Sequence, residues 1–358
     1  MDNWYNQELA NSRWVYTTGN DKKFYFRTIY VVSFAVLLEL LLLILVNIFA
    51  GMNYYNFIAV LKNILPESTY NVLSPGEIDC IFSTFTEVIA TVVSIGIPAF
   101  VLVLFTRGTE EKLNFDSVPK ADRISYKWKM PKFAPLLLAL GISFATLANY
   151  ISLIFMELLG ILSDTAYEDM LSPAPESWLA NILTVFMVVI LAPLAEEFFF
   201  RYLILNRLKR FGNTFAIIVS SVFFGFMHSN LNAFFYATAV GFVLAYSAIK
   251  TKSVWFPVLL HMVINALSTA ISIATELEYA GYFLEYISID AISSAVYSLI
   301  FLVTVIFTLY LIFSRRDISL REENTLVSVG SGYRALHFIN IFSVPFFVIS
   351  IGMYIYYM

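Results

Sequence analysis

A single cysteine, Cys80, stands in a chain of 358 residues. One thiol excludes an internal disulfide pair and any metal site built from several cysteines. Charge is scarce as well: 13% of residues are Asp, Glu, Lys or Arg, about half the share of an ordinary soluble domain. There is no basic domain that would bind nucleic acid, no low-complexity tract, no internal repeat and no separable soluble domain. A cleavable signal peptide is not expected. The first apolar run begins only near Thr28, is too long for a signal core and lacks a small-residue cleavage site. A lipid anchor is not expected either, since Asp2 rules out myristoylation and the chain closes on "YIYYM". Apolar and aromatic residues fill the space. The chain is 59% hydrophobic, and its 34 Phe and 22 Tyr suit lipid-facing surfaces and interfacial belts. With a mean hydropathy of +0.76, the composition is that of an all-α polytopic membrane protein.

A helix of about 20 apolar residues crosses the hydrocarbon core, and nine stretches qualify by eye: about 28–50, 81–106, 134–160, 179–206, 214–230, 231–249, 253–275, 289–313 and 338–357. The fifth and sixth are separated only by "SNLN" at 229–232. With the N-terminus in the cytoplasm, Lys62 is the one basic residue outside and Arg201 the one within a span, among 22 Lys and Arg. The positive-inside rule therefore selects N-in, C-out. This divides the chain into a cytoplasmic segment 1–27, helices over 28–178 with a basic cytoplasmic loop at 107–133, a core at 179–275 and a C-terminal pair of spans over 276–358. The basic loop is placed to rest on anionic headgroups. The outer loops carry acids (Asp164, Glu168, Asp169 and Glu176; Glu276, Glu278 and Glu285) that read as a solvated face.

Against this background, polar residues inside spans are conspicuous. "APLAEEFFFRYLI" at 192–204 buries Glu196, Glu197 and Arg201, each costing about 2.5–3.5 kcal/mol at the bilayer centre even on insertion scales. Glu197 and Arg201 are at i, i+4 and can pair, which a structural ion pair would explain. Glu196 is rotated by about 100° and left for another partner. Pro193, three residues earlier, removes a helix hydrogen bond and predicts a kink beside the acids. His228 closes the fifth span, and His261 and Asn265 share one face of the seventh, where interhelical hydrogen bonding alone would also account for them. Counted at 1.5 Å per residue from the cytoplasmic basic residues, Glu196, His261 and Asn265 lie roughly 14–20 Å deep and His228 roughly 22–27 Å. One polar site explains this common level better than separate accidents. Ala237, Gly241 and Ala245 form a small-xxx-small row that favours close helix packing nearby. Glu39, Glu87 and Glu157 are read as helix contacts or the lining of a water-filled entrance.

Glu196-Glu197-x-x-x-Arg201, Phe224-x-x-x-His228 and His261-x-x-x-Asn265, in this order over about 182–270, resemble the three motifs of the CPBP family. That family groups type II CAAX prenyl endopeptidases with bacteriocin-processing proteins of the Abi group. The flanks "SSVFFGFMH" and "KTKSVWFPVLLHMVIN" agree with it. The resemblance implies an intramembrane endopeptidase in which Glu196 and His228 activate water, His261 and Asn265 stabilise the oxyanion, and Glu197 and Arg201 support the site. General chemistry agrees, since peptide hydrolysis needs a base for the water and donors for the developing oxyanion. A zinc reading draws on Glu196, His228 and His261, a two-His, one-carboxylate set, but there is no H-E-x-x-H motif, and no cofactor is expected. A scaffold or bacteriocin-immunity protein of the same fold is the alternative to an enzyme. The expected partners are a peptide or membrane-protein substrate and the lipid bilayer, with further membrane proteins left open. The short loops suggest a bacterial plasma membrane.

Overall fold

A computed structural model describes residues 18–107, 124–125, 127, 131, 134–158, 177–228, 231–279, 288–313 and 331–356. Residues 1–17, most of the basic loop and the acidic loop residues 164–176 lie outside the described residues. The described residues are helical almost throughout. Helix α1 is Thr18–Met52, α2 Tyr54–Ile64 and α4 Ala134–Leu158; between them α3 covers 75–107, a π turn at Thr91–Ile95 joining Pro75–Ala90 to Gly96–Arg107. Helix α5 covers Trp178–Phe211. It is followed by α6 (Asn213–Met227), α7 (Leu231–Thr251), α8 (Trp255–Tyr279), α9 (Ile289–Phe313), α10 (Ser331–Phe338) and α11 (Ser343–Tyr356).

Among the described residues, six helices are long and apolar enough to cross a membrane, in α1, α3, α4, α5, α7 and α8. The stretches Asn213–Met227, Ala291–Val303 and Ser343–Ile355 are apolar but shorter. Each of the nine stretches read from the sequence contains apolar helix, while length and composition support six crossings among the described residues. The 15 residues of α6 reach only about 22 Å, short of a hydrocarbon core of about 30 Å. Helix α2 was not foreseen. It follows α1 directly, buries no residue and exposes Tyr55 and Ile64.

Helix starts follow capping chemistry. Ser74 and Glu77 form a capping box with Pro75 at the first position of α3. Ser177 caps α5 by accepting from Ala180 N–H at 3.3 Å, and its hydroxyl donates to Glu77 Oε1 at 2.7 Å. The two helix starts are thereby tied together. At the other end of α5, Gly212 turns the chain into α6 with φ 115°, a conformation that favours glycine. Beside it Asn206 holds both backbone groups of Ile124, accepting its N–H at 3.0 Å and donating to its carbonyl at 3.1 Å. Ser125 then pairs with Lys252 and Val254, so this part of the basic loop is stitched under the bundle.

Lipid chains are as apolar as leucine, so helices associate in a bilayer by close packing and polar contacts. Helices α6 and α7 show the first mode. Ser220, Ser221, Ala245 and Ala248 are fully buried and Ala237 almost so. A Cβ at Gly241 would come within 3.3 Å of the Ser221 backbone, and one at Gly225 would overlap Thr238 Oγ1 and stand 2.9 Å from the Phe234 carbonyl oxygen. The small-residue row of α7 thus packs where the sequence placed it. Helices α5 and α8, which carry the charges, also pack on each other, and the π turn of α3 lies against the Ala192–Glu197 segment of α5.

Candidate active site

The site grows out of an irregular helix. Within α5, Val185–Leu191 and Phe198–Leu205 are π-helical and flank the α-helical segment Ala192–Glu197. Single wide turns of this kind inside α-helices are often found at functional sites. The sequence predicts a kink from Pro193; the structure instead brackets the proline with widened turns, which change the hydrogen-bond partners around it. Ala192 N–H bonds the Met187 carbonyl five residues back. In that register the donor to Val188 would be Pro193, which has none. Asn265 on α8 fills the gap, its Nδ2 donating to the Val188 carbonyl at 2.9 Å.

Glu197 and Arg201 are fully buried and approach to 3.1 Å, as their i, i+4 spacing predicts. The N–H is not aimed at the oxygen, so the contact is ionic and falls short of a hydrogen bond. The Arg201 guanidinium also lies 4.7 Å from the Phe224 ring centroid, a cation–π contact in a desolvated place. The other oxygen of Glu197 takes His261: Nδ1 to Oε1 is 3.1 Å. A carboxylate only accepts, so Nδ1 carries the proton and Nε2 faces outward. Nε2 stands 3.9 Å from Glu196 Oε2, too far for a direct hydrogen bond. Glu196 has no pairing with Arg201 and keeps 15% of its side-chain surface exposed.

His228 ends α6. Its Nδ1 lies 2.8 Å from the Phe224 carbonyl oxygen. A carbonyl can only accept, so Nδ1–H donates and Nε2 is left with a lone pair, the tautomer a base needs. Phe224 connects the elements: its ring meets His228 at 4.9 Å and His261 at 5.9 Å, both edge-on. Glu196, Glu197, Arg201 and His261 are therefore in direct sequence of contact, and His228 joins them across Phe224. Asn265 sits one turn beyond His261 with its amide on Val188.

Sequence reasoning noted two further acids only as helix contacts or the lining of an entrance. Glu39 of α1, 2% exposed, and Glu87 of α3 both interact electrostatically with Glu196. Their signal was present in the sequence, because an ionisable residue inside a span is by default a functional candidate. Glu157 lies exposed at the end of α4. Among the described residues, no three His, Cys, Asp or Glu side chains are disposed to hold a metal ion.

Residues 178–267 match the family model described as type II CAAX prenyl endopeptidase Rce1-like. A protein of Bacillus subtilis (strain 168) named "Putative membrane peptidase YdiL" is 36% identical over 84 residues, which cover 23% of this chain and 34% of that relative. The match therefore spans about a third of the curated relative's length. No solved structure matches. The segment matched begins at the first residue of α5 and ends two residues after Asn265, so all six motif residues lie within it. Residues 178–267 are thus similar to the type II CAAX prenyl endopeptidase Rce1-like family, and the rest of the chain lies outside the match.

Proposed function

We propose that this protein is an intramembrane endopeptidase that hydrolyses a peptide bond of a membrane-associated protein or peptide. The observation that carries the reading is the division of labour between adjacent glutamates. Glu197 is used up by Arg201 and by His261 Nδ1, while Glu196 is unpaired by the arginine and partly open. In a water-poor site, such a carboxylate is a base in search of a proton. Glu196 and His228 Nε2 take the proton of a water as it attacks the substrate carbonyl. The second N–H of the Asn265 amide, and His261 Nε2 when the ring carries both protons, supply donors for the oxyanion that results. Glu197 and Arg201 act through His261, holding its ring and its tautomer. The proton taken from water is then available to the leaving amine, so the base ends the cycle ionised again.

On this reading the reaction needs no metal and the protein works in a bacterial plasma membrane, with its N-terminus in the cytoplasm. The test compares membrane proteomes from cells carrying the wild-type protein and Glu196→Gln at matched abundance. Cleavage products should vanish in the variant, and wild-type activity should survive dialysis against a strong chelator. Unchanged products in Glu196→Gln would point to a scaffold. Silencing by the chelator with recovery on added zinc would assign water activation to a metal.

A further inference from the structure

The packed core stops part-way along the bundle. Tyr25 of α1 meets Phe211, at the start of α6, with ring centroids 4.8 Å apart. The 15 residues of α6 climb about 22 Å from there, which on α1 is the level of Leu40. Helix α11 ends with α6, since Tyr354 donates to the carbonyls of Gly225 and Phe226. Burial on α1 follows the same limit. Tyr25, Ile29, Val32, Val36 and Leu40 are fully buried, and none of residues 41–52 is. This last stretch of α1, about 18 Å of helix, therefore rises above the core beside the first half of α3. His228, which caps α6, stands at the floor of that upper region.

Helix α3 presents two exposed stripes here, and they differ in chemistry. Phe85, Ile89 and Val92 are exposed and apolar, as a lipid-facing stripe should be. Asp79, Ser83 and Glu87, four residues apart, are exposed as well. At 3.6 residues per turn, Glu87 projects about 160° away from both Phe85 and Ile89. Cys80, one heptad before Glu87 and on nearly the same face, donates to the Ala180 carbonyl of α5 at 3.7 Å. The polar stripe thus runs beside α5. Tyr54 of α2 donates to Asp79 at its upper end. One turn beyond Glu87, the π turn of α3 packs on α1 and on the Ala192–Glu197 segment of α5. Glu87 lies in the middle of an apolar span, Pro75–Phe105, with a mean hydropathy of 2.7. An ionisable side chain exposed to lipid at that depth is costly; water on this face removes the cost.

We propose that Asp79, Ser83 and Glu87 line a water-filled vestibule. It opens at the end of the bundle where α1 stops and α3 and α5 begin, and it leads down to His228 and the Glu196 segment. By the positive-inside rule that end is the outer one. Water therefore reaches the site from outside, and the peptide bond cleaved belongs to a segment on the outer side of the membrane. The statement about the substrate rests on the endopeptidase reading; the vestibule does not.

Thiol labelling of the full-length protein in right-side-out membrane vesicles tests it. Cys80, the one native cysteine, is first replaced by serine. Single cysteines then replace Glu87 or Ile89, and Ser83 or Phe85, each pair differing by about 3 Å in height. A charged, membrane-impermeant methanethiosulfonate attacks thiolates in contact with water, which lipid does not offer. Glu87→Cys should react from outside roughly tenfold faster than Ile89→Cys, and Ser83→Cys likewise against Phe85→Cys. Equal rates within either pair, or reaction only in inverted vesicles, would overturn the proposal. The Ser83 and Phe85 pair decides it where Glu87→Cys fails to insert. In the cleavage assay, labelled Glu87→Cys should be blocked and treated Ile89→Cys should not. A labelled Glu87→Cys protein that cleaves at its unlabelled rate would overturn the route for the substrate. Absence of cleavage by the wild type would sink the endopeptidase reading and leave the labelling result standing.

Discussion

The two helix pairs at the heart of the molecule are built on opposite principles. Helices α6 and α7 meet through Ser220, Ser221, Gly225, Gly241 and Ala245, with almost nothing between the backbones. Helices α5 and α8 meet through a carboxylate–imidazole contact at 3.1 Å and an amide–carbonyl bond at 2.9 Å. In a bilayer both are ways to hold helices together without a hydrophobic driving force. The first gives a rigid frame that carries His228 at its end. The second is expensive, because it keeps charges and a proline-freed carbonyl at membrane depth, and that expense marks the chemistry. On the proposed function, polar residues in the core have two distinct duties, fixing the site and reacting in it, and substitutions can separate them.

The largest effect on stability is expected from Glu197→Gln. It leaves Arg201 buried without a counter-charge, and breaking a buried pair in this way costs about 3–5 kcal/mol. It also frees His261 Nδ1, so activity should fall with stability. Thermal unfolding of the purified variant in detergent checks the first effect and a cleavage assay the second.

Gly225→Ala attacks the other pair. The added methyl meets the Phe234 carbonyl oxygen at 2.9 Å as well as the Thr238 hydroxyl, so the helices must separate. Overpacking of this kind costs about 1–3 kcal/mol. Activity per folded molecule should decline only as far as His228 moves. An equally stable Gly225→Ala would show that α6 and α7 are less tightly joined than the geometry requires.

A third substitution, Asn265→Leu, strips the partner from the Val188 carbonyl. Val188 is 40% exposed, so the loss should lie at or below the low end of the about 1–3 kcal/mol that an unsatisfied buried acceptor costs. Asn265→Asp is the sharper control. It removes the donor from a carbonyl that needs one and sets a carboxylate against that carbonyl one turn from His261, so both stability and cleavage should drop below those of Asn265→Leu.

Much of this division was legible in the sequence. The i, i+4 spacing of Glu197 and Arg201, the shared face of His261 and Asn265 and the small-residue row on α7 are local periodicities, and the structure uses each of them. The register within α5 was not legible. Pro193 announces a missing hydrogen bond, but whether the chain kinks or widens into π turns depends on what a neighbouring helix offers, here the amide of Asn265. The packing of the π turn of α3 between α1 and the Ala192–Glu197 segment of α5 was equally hidden, because it joins elements far apart in sequence. His261 was expected to work with Asn265 as a donor pair; its Nδ1 proton is in fact committed to Glu197, so Nε2 can donate only when the ring carries a second proton.

The central claim is that Glu196 reacts while Glu197 supports. Its most direct test measures unfolding temperature and peptide-bond cleavage together, for Glu196→Gln and Glu197→Gln in the same lipid or detergent. Glu196→Gln should unfold close to the wild type, since it touches only the 3.9 Å contact with His261 and leaves the Glu197–Arg201 pair in place, and should cleave nothing. Glu197→Gln should lose both stability and activity. A Glu196→Gln protein that still cleaves, or a fully stable Glu197→Gln protein that alone is inactive, would contradict the account by showing that the roles of the two glutamates are reversed or that neither is the base.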